Sequence, residues 1–316
     1  MLRLLISATC LALLAAGAAR AGGSPTAFVA LPATDEVVAV DLGSGRVLKR
    51  IPVAQGPEDV AAFHDVTRRR DFVLVASRPA GAVTLVDAVK RRVVKVWRGF
   101  GDPADVAVEG LRAYIADARR GQLVVLDLAT RRVLAHIDVG PRPTAVAVGD
   151  LAIIAHAGRP SLTLVDVRRR TVTGTVPVAE PVTSVSKQPD TANVYVSFAG
   201  SGDLASIDWG RRRTTFRKHV GERLAQVVKD VYLGDRVWVT DAARGRVVLA
   251  SARDGRVLRR LGGCPGAHGL AQVGTASVLA TCPGNSTLAV WDTSRWRLRT
   301  VRLGNRPAGV GIAILP

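Results

Sequence analysis

The 316-residue chain carries 44 Lys and Arg against 26 Asp and Glu, a formal net charge of +18, with 48% hydrophobic but only 4% aromatic residues. That length can bury a large core without metals or a dense disulfide framework. Beyond the N-terminus no apolar run approaches the ~20 residues of a membrane-spanning helix.

Met1-Leu2-Arg3 is a short basic start, Leu4 to Gly17 is apolar, and Ala19-Arg20-Ala21 offers small residues for cleavage. This is the layout of a secretory signal peptide, residues 1–21, with an exported, periplasmic or secreted domain over 22–316. Losing Arg3 and Arg20 lowers the charge from +18 to +16. The arginine excess has two readings, an anionic partner or a GC-rich coding sequence that also favours Ala and Gly. After cleavage two cysteines remain, Cys264 and Cys282, and export favours a disulfide between them. A metal-ligand role beside His268 is the competing reading.

The rest of the chain repeats. From Leu123 a strand runs to Leu128, a turn follows at Ala129 to Arg132, and a second strand spans Val133 to Val139. A Gly/Pro loop leads into strands at Thr144 to Val148 and Leu151 to His156. An Asp closing one strand recurs at 41, 87, 127, 166, 208 and 292, with Ser251 in the sixth copy, at spacings of 46, 40, 39, 42, 43 and 41 residues. The carboxylate suits the N–H groups of the turn that follows. A Pro opens the next strand at 57, 103, 143, 181 and 307, where no ladder bond is needed. Four short strands per ~40 residues with near-two periodicity is propeller spacing, and no unit carries a helical stripe. The expected fold is all-β: a seven-bladed β-propeller of four-stranded antiparallel blades. Ala27 to Leu31 aligns with the second strand of a unit and Ala308 to Leu315 with the first, so these two should pair and close the ring.

Leu123-Val-Val-Leu-Asp-Leu-Ala-Thr-Arg-Arg-Val, Val139-Gly-Pro-Arg-Pro-Thr-Ala-Val-Ala-Val, Val237-Trp-Val-Thr-Asp and Val194-Tyr-Val-Ser-Phe together resemble the YVTN-type propeller repeat. The resemblance covers nearly the whole exported domain. It implies the fold, and it is compatible with binding platforms, parts of redox enzymes and relatives of lactone hydrolases. The Arg-rich turns and the missing Asn of the repeat core depart from it.

With strands A to D numbered from the axis outward, the D–A and B–C loops share one face, the top, and the A–B and C–D loops the bottom. Strand B ends are Leu31, Ser77, Asp117, His156, Ser197, Asp241 and Cys282; strand A starts add Glu58, Asp59, Asp105, Thr183 and His268. Asp59, Asp105, Asp117, His156, Asp241 and His268 are therefore the candidates for a ligand site at the top mouth of the channel, or for a divalent metal there. Channel mouths are solvated, so polar residues also belong there without any ligand.

The C–D turns carry Lys90 with Arg91 and Arg92, then Arg131 and Arg132, Arg168, Arg169 and Arg170, and Arg211, Arg212 and Arg213. Such a ring suits an anionic polymer or nucleic acid, or it serves as solvated hairpin tips that oppose edge-to-edge association. There is no Gly-x-Ser-x-Gly elbow, phosphate loop or haem-attachment motif. The sequence therefore points to an exported, monomeric, non-enzymatic binding or scaffold protein with a protein or small-molecule partner. A lactonase-like metal-dependent hydrolase at the same mouth and a polyanion binder on the Arg-rich face are the alternatives.

Overall fold

A computed structural model describes residues 24–187 and 192–313. Seven four-stranded antiparallel sheets stand in a ring, a seven-bladed β-propeller. The one described helical turn is the 3-10 segment Pro32–Thr34. The signal-peptide segment lies outside the described residues.

The strands follow the repeat. Blade 3 takes Pro103–Glu109, Arg112–Asp117, Gln122–Asp127 and Arg132–Asp138 as strands A to D. Blade 4 continues with Pro143–Ala147 and Leu151–His156. The four elements from Gln122–Asp127 to Leu151–His156 lie within one residue of their sequence-derived spans. Strands B and C are buried on both faces: Thr26–Leu31 and Ala82–Asp87 are buried at every position. Neighbouring blades cover both sides, so these strands read as continuous apolar runs rather than alternating ones. Seven apolar clusters hold the ring, one at each blade–blade interface. A typical one sets Leu74 and Leu85 of blade 2 against Ile115 and Leu126 of blade 3. Strand D faces solvent, and in Arg213–His219 no residue is buried.

Closure is as the repeat offset requires. Strand A of blade 1, Val310–Ala313, pairs with strand B, Thr26–Leu31, with Thr26 opposite Ala313 and Val29 opposite Val310. Residues 314–316, which the sequence reading included, fall outside the described residues. The marker Asp performs its expected task. Asp87 accepts from the Lys90 N–H at 2.7 Å, Asp127 from Thr130 at 2.7 Å and Asp208 from Arg211 at 2.8 Å. Serine and backbone donors hold the Asp41 and Asp292 carboxyls down at about 2.

Strand A carries a device the sequence did not disclose. In blades 2, 3 and 4 its register against strand B shifts between Pro57 and Asp59, Pro103 and Asp105, and Pro143 and Ala145. A bulge bends the strand and re-aims its side chains. Here it turns the strand A starts toward the axis.

Candidate functional site

The six candidates separate into two groups. Asp117, His156 and Asp241 do not line the mouth: they are 0%, 1% and 0% exposed. Asp117 accepts the N–H groups of Gly101 at 2.8 Å and Asp102 at 2.9 Å, in the D–A loop entering its own blade. Asp241 takes Glu222 and Arg223 N–H, both at 3.3 Å, and Arg246 at 3.1 Å. His156 donates from Nδ1 to the Pro141 carbonyl at 2.9 Å, and its Nε2 meets Thr163 Oγ1 at 2.8 Å. Burial holds the imidazole below its usual 6.5, although the Pro141 bond opposes that shift.

The same position in blade 2, Ser77, donates to Ala54 O at 2.9 Å. In blade 7 it is Cys282, bonded to Cys264 of the D–A loop with S–S 2.01 Å and Cα–Cα 4.8 Å. In blades 2, 3, 4, 6 and 7 the end of strand B is thus a latch for the D–A loop above it, solved by hydroxyl, carboxylate, imidazole or disulfide, whereas Ser197 of blade 5 donates to Ala225 O of the next blade at 3.3 Å and blade 1 has Leu31. Most of the variation at this position from copy to copy is this variety of latches. Gly101 and Gly221 belong to two of them: a Cβ would stand 2.9 Å from Asp117 Oδ1 and 2.7 Å from Asp241 Oδ2 respectively. The expected disulfide is present, and it takes Cys264 and Cys282 out of any metal set.

Asp59, Asp105 and His268 do come together. They line a cavity of about 290 Å³ at the top of the channel, with Glu58, Arg78 and Gln226 among its other walls. Arg78 and Gln226 were not legible as site residues. Arg78 follows the buried end of strand B, and Gln226 is displaced by a register shift between Leu224 and Val227.

The cavity wall also ties blade to blade. Asp59 Oδ2 accepts the Val106 N–H at 3.0 Å, and Asp105 Oδ2 the Val146 N–H at 2.6 Å. Gln226 Oε1 accepts from Leu270 at 2.5 Å, again one blade on. The Asp59 and Asp105 carboxyls share this wall, and their mutual influence favours a proton on Asp105. Burial pushes Asp105 well above the carboxylate range, and the neighbouring Asp59 charge adds to this. Burial raises Asp59 too, opposed by its hydrogen bonds and by His268. Desolvation keeps His268 below 6.5 against the pull of Asp59 and Glu58.

Arg78 is committed to Asp102 through Nε at 2.7 Å and a second nitrogen at 2.8 Å, and it reaches Glu58 at 3.5 Å. The cavity thus presents three carboxylic side chains, Glu58, Asp59 and Asp105, against an arginine already held by Asp102. Among the described residues no three His, Cys, Asp or Glu side chains come together as a metal cage.

No protein-family model matches the sequence, and no curated protein does. Solved structures do share the fold. A functionally unknown protein from Desulfotomaculum acetoxidans matches with TM-score 0.77 at 14% identity, over 92% of this chain and 99% of that one. Apo AztD from Citrobacter koseri matches with TM-score 0.73 at 10% identity, over 92% and 98%. Hydrazine synthase of Kuenenia stuttgartiensis matches with TM-score 0.71 at 18% identity, over 82% and 90%. At these identities the likeness establishes the seven-bladed propeller fold and nothing narrower.

Proposed function

We propose that this chain is an exported, YVTN-type binding propeller, without catalytic activity, that takes a small hydrogen-bond-donating ligand in the top cavity. The observation that carries this reading is the Asp59–Asp105 pair: two carboxyls on the wall of one cavity beside Glu58 and His268, where burial and the Asp59 charge favour a proton on Asp105. A cationic or amine-bearing ligand replaces that proton as the counter-charge. The buried cysteine bridge fits an oxidising compartment and supports export.

Binding then releases a proton, so affinity rises with pH across the range where the pair still holds one. The test is a thermal-shift and calorimetric screen of small amines, basic amino acids and divalent ions against wild type and D59N/D105N. Each Asn keeps an oxygen for Val106 or Val146. Wild type should bind a member of the screen more tightly at pH 8 than at pH 6, and the double variant should lose at least ten-fold in affinity together with the pH dependence. Equal binding by the two proteins sinks the reading.

A further inference from the structure

We propose that the bottom face is a docking surface for an anionic lipid bilayer, independent of the top cavity. Three observations on that face converge.

The first is where the arginines stand. The corner residue of the C–D turn has positive φ in every blade: Gly45 and Gly255 in blades 1 and 6, Trp296 in blade 7, and Arg91, Arg131, Arg170 and Arg212 in blades 2 to 5, at φ +50°, +59°, +58° and +54°. Glycine adopts this conformation freely and arginine does so at a cost. Four arginines thus stand at positions where glycine fits without strain; Arg131, Arg170 and Arg212 are exposed and Arg91 is half-buried, and Arg170 also donates to the Leu134 carbonyl. The marker carboxylates beneath are occupied by the N–H groups of their own turns, as with Asp127 and Thr130 or Asp208 and Arg211. The adjacent arginines are also on the surface: the Arg169 and Arg211 side chains are 83% and 74% exposed, each beside the carboxylate of its own turn, Asp166 at 3.7 Å and Asp208 at 3.1 Å.

The second is apolar. Every large hydrophobic residue exposed among the described residues lies on the bottom turns or at the bottom ends of the outer strands. Val66, Val89 and the run Val231-Tyr232-Leu233 are on the turns, with Val66 72% and Tyr232 50% exposed.

The third is a recess between blades 2 and 3 of about 430 Å³, where Arg68, Arg70, Lys90, Arg92 and Arg131 surround the single carboxylate of Asp87. It accommodates a phosphate headgroup.

Charge complementarity alone fits any polyanion, and the apolar residues select among them. A bilayer offers a plane of phosphates with an apolar layer beneath, which receives aliphatic side chains and a tyrosine. Nucleic acid has no such layer, and it favours stacking aromatics of which this chain has few.

Flotation with vesicles settles it, using the full chain in every arm so that any contribution of the N-terminal segment is shared. Wild type should bind phosphatidylcholine vesicles containing phosphatidylglycerol, and should leave them when the glycerol lipid is omitted. R91G/R131G/R170G/R212G should bind at least ten-fold more weakly while unfolding at the same or higher temperature. V66S/Y232S should retain binding at low salt and lose it by 150 mM. The charge-matched top-face variant R119S/R142G/R159S/R223S should bind as wild type does. An equal loss in the top-face variant, undiminished binding in the bottom-face one, or tighter binding to duplex or single-stranded DNA than to vesicles of equal phosphate concentration each overturns the proposal.

Discussion

Asp117 and Asp105 have the same functional group and opposite situations. Asp117 sits beneath a loop whose N–H groups are aimed at it. Replacing it with Ala orphans two half-buried donors, and D117A should lower the unfolding free energy by about 2 kcal/mol. Urea titration measures this, and a loss under about 1 kcal/mol would mean the loop finds other acceptors. His156 gives a pH signature instead. Its folded value lies below 6.5 because of burial, so the unfolded chain binds a proton that the folded chain refuses. Its stability contribution is whole above 6.5 and drains away as pH falls from there through the folded value. Asp41 and Asp292, with carboxyls at about 2 against the usual 3.8, lose their contribution only as pH falls through that acidic range, so they are silent between pH 7.5 and 5. Urea midpoints at pH 7.5 and 5 should fall further for wild type than for H156Q. Equal falls would assign the loss to other groups. Sequence could name these residue types but not their surroundings. Asp59, Asp105, Asp117 and Asp241 all sit beside Gly/Pro loops, and their places at strand A starts or strand B ends do not by themselves say which face the channel and which a loop.

Among the elements, strands and turns were the most legible part. The Asp that ends strand C and the Pro that opens strand A act locally, within a few residues of themselves, so their periodicity survives in sequence. The bulge of strand A shows only in its pairing with strand B, and the contacts of Gln226 and Arg78 depend on the next blade; no local pattern records them. The D–A loop latch lies between the two. Its position repeats but its chemistry does not, and only Cys264 and Cys282 gave it away, because a buried bridge leaves a recognisable pair. That bridge spans 18 residues of sequence and contributes roughly 3 kcal/mol by restricting the unfolded chain. The variant C264A/C282A should show this loss in non-reducing urea titrations. A midpoint equal to that of wild type would mean that the packing of blade 7 alone holds its loop.

For the whole molecule, the count of blades and the closing strand pair were both readable from the offset between chain ends and repeat boundaries. The division of labour between faces was not, because it depends on which turns point together. The ring also has a seam. Val310–Ala313 is synthesised after every other blade strand and completes the blade that Thr26–Leu31 begins. Until it arrives, six blades can be whole while Phe28 and its neighbours stand along an open, hydrogen-bond-hungry edge. The propeller therefore carries its own proof of length: a product that stops short of residue 310 leaves a sticky gap that a full-length chain seals from within.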